Sequence, residues 1–340
     1  MVDTDADPAD TPRRDPTASA RPGGVRIAVG YATIACALPY FVLKLIWLSG
    51  GTLGVSDLTM LHDAGMNALN TITAGMDLVA ILIALAFTHQ WGLRMPAWLV
   101  LPPMWVASGL LARFVVAVPI TTIAAALTSG SPTRVPAGPV QPWVYALVYS
   151  EFAGLGIGLM LAFVLYARGR WAFVFQSTTR TAPPGVTHDV QLPLATVAAL
   201  IAMLAGTLNI AWAFGSSIGV GGEVAARRTF SSHVINAIDG TLMIAAVVGV
   251  LLLVYRLGRR VPLWLALTLA WVGGGSLFGW GLWHMIVVLP NTALVRSRPA
   301  DMALFDLLAL FQLLAGLVIG LVMFFLLAEK GTNDKLAHGP

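Results

Sequence analysis

The chain has 340 residues, of which 57% are hydrophobic and 11% are charged, and its mean hydropathy is +0.80. This composition excludes an ordinary soluble protein and indicates a chain whose core is bounded by lipid. The single cysteine, Cys36, excludes an intrachain disulfide and a cysteine-based metal cluster. The net charge of +4 requires no nucleic-acid partner, because arginines concentrated in one set of loops orient a membrane protein.

Long apolar stretches follow a polar N-terminal tail. Residues 1–24 combine aspartate, proline and arginine with few apolar side chains, so we expect this tail to be disordered. Crossing the hydrocarbon layer takes about 20 helical residues. Stretches of that length lie at roughly 27–48, 72–90, 96–118, 143–166, 192–214, 237–256, 262–288 and 303–327. We therefore predict eight transmembrane spans, the first of which is retained because it lacks a small-residue cleavage site.

Three blocks of sequence recur in the same order about 165 residues later. Leu43 to Val55, LKLIWLSGGTLGV, is matched by LNIAWAFGSSIGV at 208–220. The other two pairs are 94–109 with 260–275, and 153–165 with 315–327. Collinear blocks at nearly constant spacing predict a duplication. The expected fold is an all-α polytopic membrane protein built of two parallel four-helix repeats.

Lysine and arginine predict the orientation of these repeats. With the N-terminus inside, the larger share of both residue types falls on the cytoplasmic side. We expect a multi-pass protein of the cell membrane with both termini in the cytoplasm. Each copy has an even number of spans, so both copies enter the membrane the same way round. The predicted order is a disordered tail at 1–24, the first repeat at 25–170, a cytoplasmic linker at 171–190, the second repeat at 191–330 and a tail at 331–340.

Several local patterns predict packing and loops. Spans 4 and 8 carry the G-x-x-x-G pairs Gly154 with Gly158 and Gly316 with Gly320, which favour close helix contacts near the axis between the copies. The glycine run at 273–275 also favours close packing, since no P-loop residues follow it. Leucines at helical spacing over 56–72 predict a short helix on the outer surface, and the proline-rich segment 128–142 predicts an outer loop or a lid. Tryptophans 47 and 212 are expected to be interfacial anchors.

Polar residues inside the spans are the candidate functional groups, because a charge in the bilayer needs a partner or a water-filled cavity. In the predicted orientation they fall in the outer half of each span. Lys44 and Asn209 occupy matching positions, and Glu151 falls within one residue of the position that matches Gln312. We therefore predict an outward-facing polar pocket, and its candidate ligand-binding residues are Lys44, Arg113, Glu151, Asn209 and Gln312.

Structural explanations of these residues stand beside the functional one. Five charged or titratable side chains lie near helix ends, where they could snorkel or cap: Lys44, Asp77, Asp239, His284 and Asp306. Arg113 and Glu151 are deeper and could form an ion pair on adjacent helices of the first copy. The second copy has Gly279 opposite Arg113 and lacks the acid, so we expect the pocket to be asymmetric.

The sequence contains no H-E-x-x-H, no cysteine pair and no Walker motif. The string GSSIG at 215–219 has the G-x-S-x-G spacing, but it belongs to the repeated block and matches GGTLG at 50–54. His62 and His233 each precede the second span of their copy and could ligate a metal or a haem, although a lone surface histidine usually does neither. We expect no cofactor and no metal.

The pattern L-x-K-x-x-W-x-x-G-G-x-x-G resembles the opening helix of small four-helix actinobacterial membrane domains of unknown function. It consists here of Leu43, Lys44, Trp47, Gly50, Gly51 and Gly54. The second copy carries Ser216 in place of Gly51. This resemblance implies a four-span unit present twice, and it implies no particular activity.

The architecture of eight spans in two parallel bundles is similar to that of the haem A synthase family. That family binds haem through histidines on paired helices. Spans 4 and 8 of this chain contain no histidine, so the paired haem ligands cannot be placed. The comparison rests on architecture alone.

Three hypotheses follow. The first is a binder or permease for a small polar or anionic molecule, with Lys44 and Arg113 as cationic contacts and Glu151 as a counter-ion or proton-linked group. The second is a membrane oxidoreductase of haem A synthase architecture that uses His62, His233 or His284. The third is an accessory membrane subunit without a ligand. The expected partners are the lipid bilayer and a small ligand, with a homo-oligomer left open.

Overall fold

The computed structural model describes residues 23–59, 63–128, 138–179, 187–258, 260–288 and 302–337, with side chains as far as residue 329. The predicted N-terminal tail, most of the loop at 128–142 and His62 lie outside this part of the chain. The described residues are almost entirely helical and contain no strand. The predicted all-α class is therefore confirmed.

Eight helices are long and apolar enough to cross a membrane, so the chain is an integral membrane protein. We number only these eight. They are α1 (Gly24–Leu48), α2 (Ala64–Thr88), α3 (Ala97–Thr128), α4 (Pro142–Arg170), α5 (His188–Ala213), α6 (Phe230–Val254), α7 (Leu263–Val288) and α8 (Ala303–Ala337).

Two of these helices start earlier than the apolar pattern predicts. α2 begins at Ala64 because the Asp63 carboxylate accepts a hydrogen bond from the backbone N–H of Met66 and caps the helix. The second half of the expected surface helix over 56–72 instead forms the first turns of α2, and residues 60–62 of that segment lie outside the described part of the chain. α6 begins at Phe230 through a capping box made by Thr229 and Ser232. Polar side chains in a first turn hide such helix starts from a hydropathy profile.

The turns that follow α1 and α5 have the same geometry. Gly50 and Gly54 have φ values of 90° and 74°, and Gly215 and Gly219 have 91° and 68°. These four positions need glycine, because other residues rarely adopt positive φ. The backbone N–H at position 51 donates to the Ile46 carbonyl, and that of the matching Ser216 donates to Ala211. Position 51 has no positive φ, but a Cβ atom added there would lie 2.4 Å from Ile46 Cγ2. The second copy has Ala211 in place of Ile46, which removes this side-chain contact at Ser216.

Tryptophans 47 and 212 hold these turns and are not interfacial anchors. The indole Nε1 of Trp47 donates to the Leu53 carbonyl at 2.7 Å, and that of Trp212 donates to the Ile218 carbonyl at 2.9 Å. Both rings are buried. A buried indole N–H needs an acceptor, and the turn supplies one. The expected anchoring role is therefore wrong.

The spanning helices pack in two groups of four. In the second group, α5, α6, α7 and α8 contact one another closely around a ring. In the first group, α1 contacts α2 and α4, and α4 contacts α3, whereas α2 touches α3 only slightly. α3 also packs against α6 and α7, so this helix joins the two groups. The first group is therefore less closed than the second on its α2–α3 side.

The two groups meet where α3 crosses α7. A Cβ atom on Gly109 would lie 1.9 Å from the carbonyl carbon of Gly275, and one on Gly275 would lie 2.4 Å from the Trp105 carbonyl oxygen. The rings of Trp105 and Phe278 stack beside this crossing at 5.0 Å. Only glycine at both positions lets the backbones touch in this way.

The glycine run of α7 and the G-x-x-x-G pairs have packing roles. Gly273 contacts α6, Gly274 contacts Ile319 of α8 and Gly275 contacts α3, so the expected close packing is confirmed. The G-x-x-x-G pair of α4 faces Thr33 and Cys36 of α1, within its own group. In α8, Gly316 faces Phe278 and only Gly320 reaches the other group, at Trp105. The expected contact near the axis is therefore wrong for α4.

Replacing Gly109 with leucine should disrupt the crossing of α3 and α7. The side chain would overlap the backbone of α7, so we expect the free energy of unfolding to fall by at least about 1–3 kcal/mol. Gly75→Leu is the matched control, because no atom lies within 4 Å of a Cβ added at Gly75. Thermal unfolding of the purified variants in detergent measures the difference. Equal unfolding midpoints would contradict the proposed contact.

Candidate functional site

The membrane-spanning helices bury several ionisable side chains, and most of them have a partner of opposite charge. Lys44 pairs with Asp77 and Arg113 with Asp239, and the half-buried His284 contacts Asp306 on the neighbouring helix. An unpaired charge in a low-dielectric interior costs several kcal/mol. The expectation that the members of these pairs merely snorkel or cap is therefore wrong, because each contacts a side chain on another helix.

Lys44 and Asp77 form a buried ion pair between α1 and α2. The Lys44 Nζ atom donates to Asp77 Oδ2 at 2.7 Å, and the two residues are 0% and 5% exposed. The ammonium also lies 4.1 Å from the centroid of the Tyr40 ring, where the face of the ring attracts a cation. The charge of Lys44 is thus already balanced within the protein.

Glu151 of α4 belongs to the same cluster but has no hydrogen-bond donor. Glu151 is 2% exposed, and neither of its carboxylate oxygens has a partner among the described residues. The carboxylate interacts electrostatically with Asp77, Lys44 and Tyr40. We call Tyr40, Lys44, Asp77 and Glu151 the α1–α2–α4 cluster.

Aromatic rings border this cluster. The Phe152 ring lies 6.1 Å from that of Tyr40 and 4.8 Å from that of Phe114 on α3. These rings are apolar and give Glu151 no donor. The rings thus connect the Tyr40 side of the cluster to α3 through apolar contacts.

Arg113 makes no hydrogen bond to Glu151 and binds Asp239 in the other group of helices. Its Nε donates to Asp239 Oδ1 at 2.8 Å and its second guanidinium nitrogen to Oδ2 at 2.5 Å, a bidentate arrangement between α3 and α6. The guanidinium also lies 3.5 Å from the centroid of the Trp280 ring. The expected ion pair between Arg113 and Glu151 is therefore wrong, because the neighbouring helix α6 presents a carboxylate that can take both guanidinium bonds.

The matching place in the second group contains no charge. Asn209, at the position that matches Lys44, donates to the Ala205 carbonyl at 2.9 Å and lies 3.7 Å from the Met243 sulfur. Gln312 is half-buried on α8. An amide and a thioether thus stand where the first group has an ammonium and a carboxylate, so the two copies differ at this place. The five predicted ligand-binding residues do not converge, since only Lys44 and Glu151 share a cluster.

The histidines do not form a ligand set among the described residues. His233 Nδ1 lies 3.0 Å from the Ala213 carbonyl oxygen, and His284 Nε2 lies 2.7 Å from Asp306 Oδ1. No group of three or more His, Cys, Asp or Glu side chains in the described part of the chain could hold a metal ion. His62 lies outside the described residues, so its predicted role stays a prediction.

An open cleft lies where α1 begins and α2 ends, at the other end of the first group from the α1–α2–α4 cluster. Its volume is about 430 Å³, and Ile27, Tyr31, Thr88, His89, Gln90 and Trp91 line it. The rings of Tyr31 and His89 meet edge to face at 6.2 Å. The cleft contains none of the predicted site residues, and it is separate from the α1–α2–α4 cluster.

Comparisons with known proteins supply no relative. No protein-family model, no curated protein and no solved structure matches the chain. The functional argument therefore rests on the residues of the chain and their geometry.

The ion pair between Arg113 and Asp239 should stabilise the association of the two groups of helices. Removing one partner leaves a buried charge, so we expect Arg113→Met or Asp239→Leu to cost about 3–5 kcal/mol of unfolding free energy. The double variant, with both substitutions, should lower the unfolding free energy by much less than the sum of the two single effects. The exposed pair Arg227 and Glu223, with side chains 72% and 69% exposed, is the control, and its removal should change stability by at most about 0.5 kcal/mol. Denaturant unfolding of all variants gives the coupling energy, and additive single effects would contradict it.

Proposed function

We propose that this integral membrane protein binds a small polar solute at the α1–α2–α4 cluster and moves it across the cell membrane. The observation that carries the proposal is the buried Glu151 carboxylate, both of whose oxygens lack a donor among the described residues. Buried polar groups are nearly always hydrogen-bonded, and a group left unpaired lowers the stability of the fold. Such a cost is typical of sites retained for function.

The charges around the cluster favour a solute that donates hydrogen bonds or carries positive charge. Lys44 and Arg113, the cationic contacts expected for an anion, are engaged by Asp77 and Asp239. An anionic solute would have to break one of these buried pairs. A hydrogen-bond donor would instead complete the coordination of Glu151 without displacing any contact.

The packing of the helices supports different roles for the two groups. The second group is closed around its ring, and Asn209 and Met243 occupy the place of the ion pair. The first group is only slightly closed between α2 and α3. A solute therefore meets less tightly packed backbone on the α2–α3 side of the cluster, and the second group serves as the scaffold.

Two parallel copies of one four-helix unit, with both termini in the cytoplasm, complete the proposal. The matching turns after α1 and α5 support the duplication, because their glycines, tryptophan hydrogen bonds and backbone contacts correspond one to one. In this orientation the cluster lies in the outer half of the membrane. Entry of the solute is then expected from the outside.

The orientation is tested by a reporter fused after residue 185, within the segment predicted to be cytoplasmic. A reporter that is active only in the cytoplasm should be active at this position, because the loops with most arginine and lysine stay inside. The same reporter fused after Val288, on the opposite side, is the control. An extracellular signal from the fusion at 185 would contradict the predicted orientation.

Replacing Glu151 with glutamine separates a functional carboxylate from a structural one. If Glu151 serves a solute, the neutral amide relieves an uncompensated group, and the unfolding midpoint should stay the same or rise. The matched control is Asp77→Asn, the same chemical change at the residue that neutralises Lys44, and it should cost about 3–5 kcal/mol. Thermal unfolding in detergent measures both. A loss in Glu151→Gln as large as that in Asp77→Asn would make Glu151 structural and remove the support for a solute site.

A further inference from the structure

The α1–α2–α4 cluster is one positive charge short. Lys44 of α1 balances Asp77 of α2, and Glu151 adds a second carboxylate. The other titratable group that faces Glu151 is the phenol of Tyr40, which is neutral at physiological pH. On α3, the charged residue at this depth is Arg113, whose charge is used by Asp239. Nothing described on the packed helices α1, α2 and α3 therefore compensates the Glu151 charge.

An uncompensated carboxylate at this depth costs several kcal/mol. One positive charge must therefore accompany it, either as a proton on the carboxyl group or as a cation that the carboxylate binds. The two cannot occupy the same oxygens at the same time. A proton and a cation therefore compete for the Glu151 carboxylate.

We infer that the solute is a small monovalent cation, and that its binding displaces one proton from Glu151. This inference rests on the proposed function and names the class of its solute. In the exchange, the O–H bond of the Glu151 carboxyl group breaks, the proton passes to water, and the cation takes its place beside the carboxylate. One charge enters and one leaves, so the charge of the protein does not change.

The surroundings of Glu151 favour a monovalent ion over a divalent metal. The deficit is one charge, and the described residues provide no cluster of three or more metal-ligating side chains. The Tyr40 ring faces the Lys44 ammonium, so a further positive charge beyond the single deficit would meet no attracting group there. A divalent ion would leave a surplus positive charge next to Lys44.

The test measures protons released when a cation binds. Purified protein in weakly buffered detergent solution receives the chloride salts of lithium, sodium, potassium, ammonium and methylammonium, with choline chloride as the bulky control. A pH-sensitive dye reports the release. We expect about one proton per chain for at least one small cation and none for choline, with the apparent Kd rising about tenfold for each unit by which the pH falls, since one proton competes with one cation.

Variants assign the released proton to Glu151. Glu151→Gln should abolish the release, whereas Glu223→Gln, the same change at an exposed carboxylate, should leave it intact. Glu151→Asp keeps the acid and should retain release at higher cation concentration, which covers the case in which the amide variant fails to fold. Release that persists in Glu151→Gln would overturn the inference.

The result also distinguishes this inference from the proposed function. If the wild-type protein releases no proton with any of the five cations, the cation class is overturned. In that case a solute site still stands as long as Glu151→Gln keeps its stability while Asp77→Asn loses it. If Glu151→Gln is as unstable as Asp77→Asn, the proposed function fails, whatever the salts do.

Discussion

The cost of placing charge in hydrocarbon governs the arrangement of this protein. An ionised side chain away from water needs a partner of opposite charge, and the chain meets this requirement by joining helices in pairs. Lys44 joins α1 to α2, Arg113 joins α3 to α6, and His284 joins α7 to α8. Each contact therefore specifies which helices are neighbours, and the Lys44–Asp77 and Arg113–Asp239 pairs also neutralise their members.

The association of the two groups of helices combines this electrostatic requirement with close backbone packing. At the crossing of α3 and α7, Gly109 and Gly275 allow the backbones to touch. Nearby along α3, Arg113 extends to Asp239 of α6 and covers the Trp280 ring of α7. Apolar surfaces gain little by leaving lipid for each other, so dispersion contacts at the glycines and the buried ion pair have to supply the attraction. α3 is thus the structural link between the halves.

Glu151 is the exception to the pairing of charge. It lies in the half with the less closed ring, in the cluster of the Lys44–Asp77 pair, and the place equivalent to that pair in the other half contains an amide and a thioether. The second half shows that this turn-and-helix framework packs well without any charge at this place. The ion pair and the extra carboxylate of the first half are therefore not required by the turn-and-helix framework that the two halves share.

Hydropathy and turn residues allowed the sequence by itself to determine the eight helices, their order and the paired turns. These are local properties: an apolar stretch of sufficient length must form a helix in lipid, and positive φ at Gly50 and Gly215 requires glycine. The helix starts at Ala64 and Phe230 were less accessible, because side-chain caps and not apolar residues set them. The sequence also identified Lys44 and Glu151 as candidate site residues, since a charged residue within an apolar span can be recognised whatever the rotation of its helix.

Only the tertiary structure decided which charged residues meet. Arg113 takes Asp239, 126 residues away, and leaves the nearer Glu151 without a donor. That choice depends on the rotation of each helix about its axis and on the crossing at Gly109 and Gly275, which no local pattern encodes. Small changes in rotation move a side chain from one neighbour to another, so partner identity, and with it the uncompensated carboxylate, emerges from the packing of the whole bundle.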